Sequence, residues 1–427
     1  MNRGIKHLKR ITRRIVKKSF SSDIKSKHGT VYVHWPYCAQ LCSYCNFNKY
    51  VRDNVDHSLM RKALITELRT FIDMSGFHTV TSIFFGGGTP SLAAPSTIHA
   101  VINEVAKLCH LPTSAEINLE ANPTSSGQSV LKDFKQAGVN RLSLGVQALN
   151  DKDLKLLNRD HNRSEALQAL SLCKELFPGR LNIDIIFGRP RQTVDEWRTE
   201  LEKVLEICDN HISLYQLTVE RGTPLAKDVQ NSRLKLPVED HTADMYEHAV
   251  QRLSVAGLHR YEISNFARFG SESQHNYSYW RGDQYIGIGP GAHSRFSLRD
   301  QSQVIARVQA PVPDVWTKLV FSSGHGTRKS TMLTRKERFE EVFMTSLRTR
   351  NGLTNEIWYN LDMPNTIHTS LSELESVQEL IKGDLLIIDE EGLRATSKGL
   401  AVTDSLMTEL LLTNKLYDHT TTFPVRP

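Results

Sequence analysis

No stretch of this 427-residue chain approaches the roughly 18 uninterrupted apolar residues that a membrane span requires, so a spanning segment is not expected. Cysteine is also scarce. Six in a chain of this length are too few and too scattered for a secreted disulfide scaffold. Acid is missing from residues 1–22, which hold eight Lys or Arg. Without that segment 45 basic residues face 47 acidic ones, a net of −2 against +6 for the whole chain. The body is therefore near neutral, and no nucleic-acid partner is expected from its charge. What remains, 39% apolar and 23% charged, is the composition of an ordinary globular protein.

The acid-free start, MNRGIKHLKRITRRIVKKSFSS, spaces Ile5, Leu8, Ile11, Ile15 and Val16 at near-helical intervals among its basic residues. An Arg-rich amphipathic leader of this kind, whose bias ends at Asp23, predicts a transit peptide over 1–28 and a mitochondrial location; a disordered basic tail that touches nucleic acid or a membrane surface is the competing reading.

From residue 30 to about 217, short β-branched runs alternate with amphipathic stretches. The predicted strands are TVYVH (30–34), TSIFF (81–85), AEINLE (115–120), NRLSLG (140–145), LNIDIIFG (181–188) and HISLYQL (211–217). Between them lie helical patterns near 57–75, 95–108, 126–137, 150–157, 164–176 and 193–208. Strict alternation of this kind implies an α/β fold with a parallel sheet and crossover helices, here a partial (β/α)6 barrel over 29–235. Chemistry in such barrels collects at the carboxyl ends of the strands. The alternation then fades. Residues 236–330 contain a helix near 239–257, the segment HRYEISNFA (259–267), the glycine-rich YIGIGPGAHS (285–294) and a polar stretch of little pattern from about 297. Residues 331–427 read as a smaller α+β region with a hairpin at 384–396 and a closing helix at 398–412, a winged-helix-like module.

Three cysteines, Cys38, Cys42 and Cys45, fall within eight residues just after the first strand. C-x3-C-x2-C is not the pattern of a structural zinc site, which pairs one C-x2-C with a second to reach four ligands. Three thiolates suit a [4Fe–4S] cluster with one iron left open to a small molecule. A metal site completed by a histidine is the competing reading. Cys109, Cys173 and Cys208 lie in apolar helical surroundings and read as small buried hydrophobes. At or near successive strand ends stand Glu120, Gln147, Arg159 and Asp184. Carboxylates and an amide suit ribose hydroxyls and an ammonium group, and a guanidinium suits a carboxylate. Any one of the four could equally be a satisfied polar group at a barrel mouth.

The cysteine loop after a first barrel strand, with GGGTP (86–90) after the second, resembles the radical S-adenosylmethionine (SAM) superfamily, and the resemblance covers nearly the whole chain after the leader. It implies that Cys38, Cys42 and Cys45 hold a [4Fe–4S] cluster. It also implies that Tyr32, Tyr44, Gly87, Gly88, Thr89, Glu120, Gln147, Arg159 and Asp184 surround SAM. The segments YVHWPYC, EANP, LSLGVQ, YQLTVERGTP and YEISNFA are similar to the HemN/HemW group. HemN-type enzymes decarboxylate coproporphyrinogen III. They carry a further cysteine where this chain has Phe47, and an extra N-terminal segment where this chain has only its basic leader. HemW-like proteins, regarded as haem chaperones, share the Phe and an H-N-x-x-Y-W element, here HNYSYW (275–280).

The expectation is thus a haem-binding chaperone that holds a cluster and SAM and delivers haem to mitochondrial haem proteins. His275 is the expected axial ligand, and Tyr279 and Trp280 offer flat faces to the porphyrin. Two other functions stay open. One is a radical enzyme that cleaves SAM reductively and acts on a porphyrinogen. The other is an interaction module that keeps the fold alone. No catalytic residue is assigned.

Overall fold

In the computed structural model, residues 27–125, 127–363 and 366–412 are described. The basic leader, up to residue 26, lies outside the described residues.

The six predicted strands form as β1 (His28–Trp35), β2 (Thr79–Gly87), β3 (Glu116–Ala121), β4 (Arg141–Gln147), β5 (Leu181–Phe187) and β6 (His211–Gln216), all parallel and in sequence order. Helices α1 (His57–Ser75), α2 (Pro95–Leu108), α3 (Gln128–Gln136), α4 (Asp151–Leu156), α5 (Arg163–Leu176) and α6 (Val194–Ile207) connect them, and α7 (Glu239–Val255) follows the last strand. Local signals fix where these helices start and stop. Asn162 with Glu165, and Thr193 with Glu196, close capping boxes that satisfy the first amides of α5 and α6. Gly76, at φ 68, ends α1 in a left-handed turn.

The alternation within the strands decides the interior. Val31, Val33, Ile83, Phe85, Leu119, Leu142, Leu144, Ile183, Ile185 and Ile212 are buried in the main core with the helices. The intervening residues face the other way. In register, Tyr32 pairs with Phe84 and Phe84 with Asn118; Glu120 pairs with Ser143 and Ser143 with Asn182; Gly145 pairs with Asp184 and Asp184 with Ser213. A polar row therefore lines a barrel whose usual filling would be branched aliphatics.

The sheet does not close on itself. It continues past β6 through antiparallel β8 (Asn265–Ala267) to β7 (His259–Arg260). Past β1 it runs through parallel β9 (Tyr285–Ile288) to antiparallel β10 (His293–Ser297), β11 (Val304–Gln309) and β12 (Thr327–Met332), giving twelve strands among the described residues. The stretch of little pattern from 297 thus contains two strands and a helix, α9 (Pro313–Ser323). β12, TRKSTM, is an edge strand with no buried residue, so no hydrophobic alternation marks it.

The C-terminal residues pack around a second core of Phe339, Val342, Phe343, Leu347, Trp358, Leu393 and Leu410 among others. Helix α10 (Arg335–Ser346) opens this unit behind a Thr334–Glu337 capping box. The predicted hairpin forms between Leu386–Ile388 and Gly392–Ala395, and Leu353–Thr354 adds a third strand on the latter's other edge. The closing helix divides at Val402 into Ser397–Ala401 and Thr403–Leu412.

Candidate functional site

The cysteine loop is pinned at its base and along its length. Tyr37–Cys38 pairs in parallel with Tyr50–Val51, which draws the two ends of the loop together. Ser43 donates through its amide to the Leu157 carbonyl (3.0 Å) and through its hydroxyl to that of Leu156 (2.9 Å). Asn158 donates to the Leu41 carbonyl at 2.7 Å, and Asn48 to those of Pro290 and Pro311 at 2.9 Å. Backbone held in this way presents three unpaired, partly exposed thiols.

The thiols differ in surroundings. Burial raises the pKa of Cys38, while a hydrogen bond with Thr89 works the other way. Cys42 receives an N–H from the Arg159 guanidinium at 3.1 Å. Arg159 is further held by Asn122 Oδ1 (2.9 Å) and the Gly145 carbonyl (3.0 Å), while its buried Nε has no partner. Among the described residues no three His, Cys, Asp or Glu side chains converge on a single ion. A four-iron cube spreads its thiolates over separate irons, so this donor set fits a cluster better than a lone cation. Phe47, in the place of a further cysteine, is 64% exposed on the same loop.

The glycines of GGGTP let the backbone pass close to its neighbours. Close approach there is to the protein itself. Gly88 donates to the Trp35 carbonyl (2.7 Å) and Thr89 to that of Tyr37 (2.9 Å). A Cβ on Gly88 would stand 2.8 Å from the Tyr37 carbonyl oxygen, and one on Gly87 (φ 111) 2.6 Å from the His34 ring. The turn is thereby clamped onto the root of the cysteine loop.

Below it, the Glu120 carboxylate accepts the Gly87 N–H at 3.1 Å. Burial first, and the charge of Asp184 second, push its pKa up to about 8. Burial also raises Asp184, against donors from Ser143 (3.0 Å) and Asn182 (2.8 Å). The Arg159 charge acts on both Asp184 and Tyr44, so these residues share one electrostatic site with the cysteines. Gln147 ends β4 at a bulge with φ 68, a conformation that costs a non-glycine residue about 1–3 kcal/mol. Its side-chain amide lies over Gly145. Tyr32 stacks on Phe84 at 6.1 Å between ring centres, and its hydroxyl bonds His34 Nδ1 at 3.1 Å. A cavity of about 130 Å³ below this mouth is lined by Glu120, Asp184, Asn182 and Ser213.

His275 stands apart from that group. It is 0% exposed on helix α8 (Gln274–Trp280), where Nδ1 bonds Ser82 Oγ (2.8 Å) and Nε2 bonds the Tyr279 hydroxyl (2.9 Å). Its ring stacks on Phe84 at 5.0 Å, and burial lowers its pKa to about 3. Both nitrogens are committed, and ligation of iron would first require one of these hydrogen bonds to break.

Between β1, α8, the β9–β10 turn and α10 opens a second, larger cleft of about 530 Å³. Tyr32 and His34 line it, so it adjoins the barrel mouth. Sequence reasoning missed His34, Asn122, Ser143 and Asn182. A usable signal existed for three of them: His34 follows Tyr32, Asn182 precedes Asp184 and Ser143 precedes Gly145 at the two-residue period of one strand face. Asn122 lies beyond a strand end and carried no such signal.

Comparison with known proteins agrees with this geometry. The profile of the radical SAM superfamily matches residues 32–204, and that of the HemN C-terminal domain residues 333–402. Radical S-adenosyl methionine domain-containing protein 1, mitochondrial, of Danio rerio is 46% identical over 407 residues, covering 94% of this chain and 92% of that one. Its Mus musculus counterpart is 47% identical over 393 residues, 92% of this chain and 89% of that one. Heme chaperone HemW of Bacillus subtilis is 32% identical over 329 residues, 77% and 85%. Among solved structures, coproporphyrinogen III oxidase (HemN) from Escherichia coli, a radical SAM enzyme, superposes with a TM-score of 0.74 at 22% identity. That match covers 96% of this chain and 94% of HemN, and it establishes the fold alone.

Proposed function

This chain belongs to the radical SAM superfamily, in the family of the mitochondrial radical S-adenosyl methionine domain-containing protein 1, and from that premise we propose that it is a haem chaperone. The protein is mitochondrial, as its relatives are named. In this reading Cys38, Cys42 and Cys45 hold a [4Fe–4S] cluster. SAM is held by Tyr32, Tyr44, the Gly87–Thr89 turn, Glu120, Gln147, Arg159 and Asp184. Residues 29–235 form the cofactor barrel, 236–330 the extension that carries HNYSYW, and 331–427 a small C-terminal helical domain with a hairpin, whose helix α10 lines the larger cleft. Haem is the cargo, and mitochondrial haem-receiving proteins are its destination.

One observation carries the proposal. The larger cleft shares Tyr32 and His34 with the barrel mouth, so a flat ligand lodged there would lie against the cofactor site. At about 530 Å³ it is within the roughly 300–1,000 Å³ of small-molecule sites. Such a cluster, when bound, can supply an electron to SAM. What the chain's own groups contribute is distinct. Arg159 donates to the Cys42 sulfur, Thr89 partly offsets the burial that raises the Cys38 pKa, and Glu120 with Asp184 gives the mouth a proton-holding floor.

A second reading, reductive cleavage of SAM directed at a porphyrinogen, is favoured by the complete thiol set and the carboxylate pair. Anaerobic reconstitution with iron and sulfide separates the two. The expected result is one tightly bound haem with its own visible spectrum, and no vinyl product from coproporphyrinogen III with SAM and reductant. Porphyrinogen-dependent 5′-deoxyadenosine together with vinyl formation would replace the chaperone reading with the enzyme.

A further inference from the structure

Three imidazoles stand at or behind the larger cleft, and their hydrogen bonds distinguish them. His34 uses both nitrogens, Nδ1 with the Tyr32 hydroxyl (3.1 Å) and Nε2 with the Asn48 carbonyl (2.8 Å). His275 uses both, on Ser82 and Tyr279. His293 opens β10, is solvent-exposed and lines the cleft, and among the described residues neither of its ring nitrogens has a hydrogen-bond partner. An iron ligand needs a neutral imidazole with a free lone pair, and only His293 presents one here.

The backbone that carries His293 is rigid. Gly289 (φ 100) and Gly291 (φ 80) turn the chain between β9 and β10 so tightly that a Cβ on Gly289 would stand 2.4 Å from the His34 carbonyl oxygen. The Gly289 amide donates to the buried carboxylate of Glu67 at 2.8 Å, which fixes the turn from below. Partial burial first, and the neighbouring Arg295 second, lower the His293 pKa from its ordinary value.

The walls suit a flat macrocycle with an anionic edge. Tyr279 and Tyr285 meet edge to face at 4.6 Å and 82°, and both face the cleft. Arg295 and Arg338 line it too, tied to each other through Glu341 at 2.9 and 3.6 Å. Guanidinium groups placed at the rim of an aromatic slot are the natural partners of carboxylates.

We propose that His293 is the axial ligand this cleft gives to the iron of a bound haem, with Arg295 and Arg338 receiving its propionates. His275 is a positioning residue that orients Tyr279 and does not touch the iron. This assignment rests on the haem-chaperone reading above and deepens it.

The test uses the full-length, cluster-reconstituted chain titrated with ferric protoporphyrin IX and, separately, with metal-free protoporphyrin IX. His293→Ala is expected to weaken ferric haem by about tenfold or more and to shift its Soret band, while metal-free porphyrin binds within about twofold of the parent. Added imidazole should restore the parent spectrum. His293→Met keeps a ligand atom, so it should retain haem with a different Soret band; this guards against a variant that merely loses structure. His275→Ala should leave the signature of the iron's axial ligand in place. If the parent binds haem and His293→Ala binds it with the same affinity and spectrum, the ligand assignment is overturned and the chaperone reading stands. If the parent binds no haem at all, that reading falls and takes this one with it.

Discussion

At the level of single residues, Glu120 is the group whose protonation the barrel has altered most clearly. Burial and the charge of Asp184 hold its pKa near 8, well above the 4.5 of a free glutamate, although the Gly87 N–H pulls the other way. The linkage then has a definite sign. A carboxyl that keeps its proton in the folded chain and loses it in the unfolded one contributes stability that is full below about pH 4.5. That contribution is lost as pH rises toward 8. The slope from one such group approaches about 1.4 kcal/mol per pH unit. Glu120→Gln keeps an acceptor for Gly87 and removes the proton. Its unfolding free energy in urea, measured from pH 5 to 8.5, should therefore fall less steeply than that of the parent. Asp184 is present in both proteins, so the difference between the curves reports Glu120 together with its coupling to Asp184. Parallel curves would show that Glu120 is already charged in the folded chain.

Among the elements, the turn between β9 and β10 depends on one side chain from a distant helix. Glu67 of α1 is fully buried and accepts from the Gly289 amide (2.8 Å), the Gly326 amide (2.7 Å) and the Trp316 indole (2.9 Å). Glu67→Ala leaves three buried donors without an acceptor, each worth about 1–3 kcal/mol. A loss of at least about 3 kcal/mol in denaturant-measured stability is expected, with faster hydrogen exchange at Gly289 and Gly326. Unchanged exchange at those amides would remove the latch. Nothing in ITELRTF marks Glu67 for this part, since its partners lie more than 200 positions along the chain. The six barrel strands, by contrast, were legible because apolar outward residues alternate along them with mostly polar inward ones, and β5 contributes both Asn182 and Asp184 by that rule. Cys38, Cys42 and Cys45 were legible from spacing. That His275 would be closed off by Ser82 was not, because the pairing spans 193 positions and depends on how α8 settles beneath β2. β12 escaped because an edge strand exposed along its length needs no apolar residue.

Across the whole molecule, the two larger hydrophobic cores among the described residues share no residue, and a small third cluster of Leu157, Ile186, Leu217 and Leu225 lies on the barrel side. One runs from Val31 to Val320, the other from Phe339 to Leu410. Contacts between them include Arg295 with Glu341, the Arg350 amide with the Tyr261 carbonyl at 3.0 Å, and Arg260 with the Ser397 carbonyl at 2.9 Å. Interfaces of that kind within one chain resemble those of transient complexes, and neither unit depends on the other for its core. The cysteine loop is anchored on the side of the larger core, through Leu156 and Leu157 of the barrel and Pro290 and Pro311 of the extension. The larger cleft draws Arg338, Glu341, Val342, Met344 and Thr345 from the C-terminal unit. A chain ending at Met332 should therefore unfold cooperatively and load iron as the parent does, yet fail to retain haem through desalting. Iron per chain and haem absorbance on the same sample check both halves of the expectation. Loss of iron together with haem would mean that the C-terminal unit supports the cluster loop itself, and that the division of labour between the two cores is wrong.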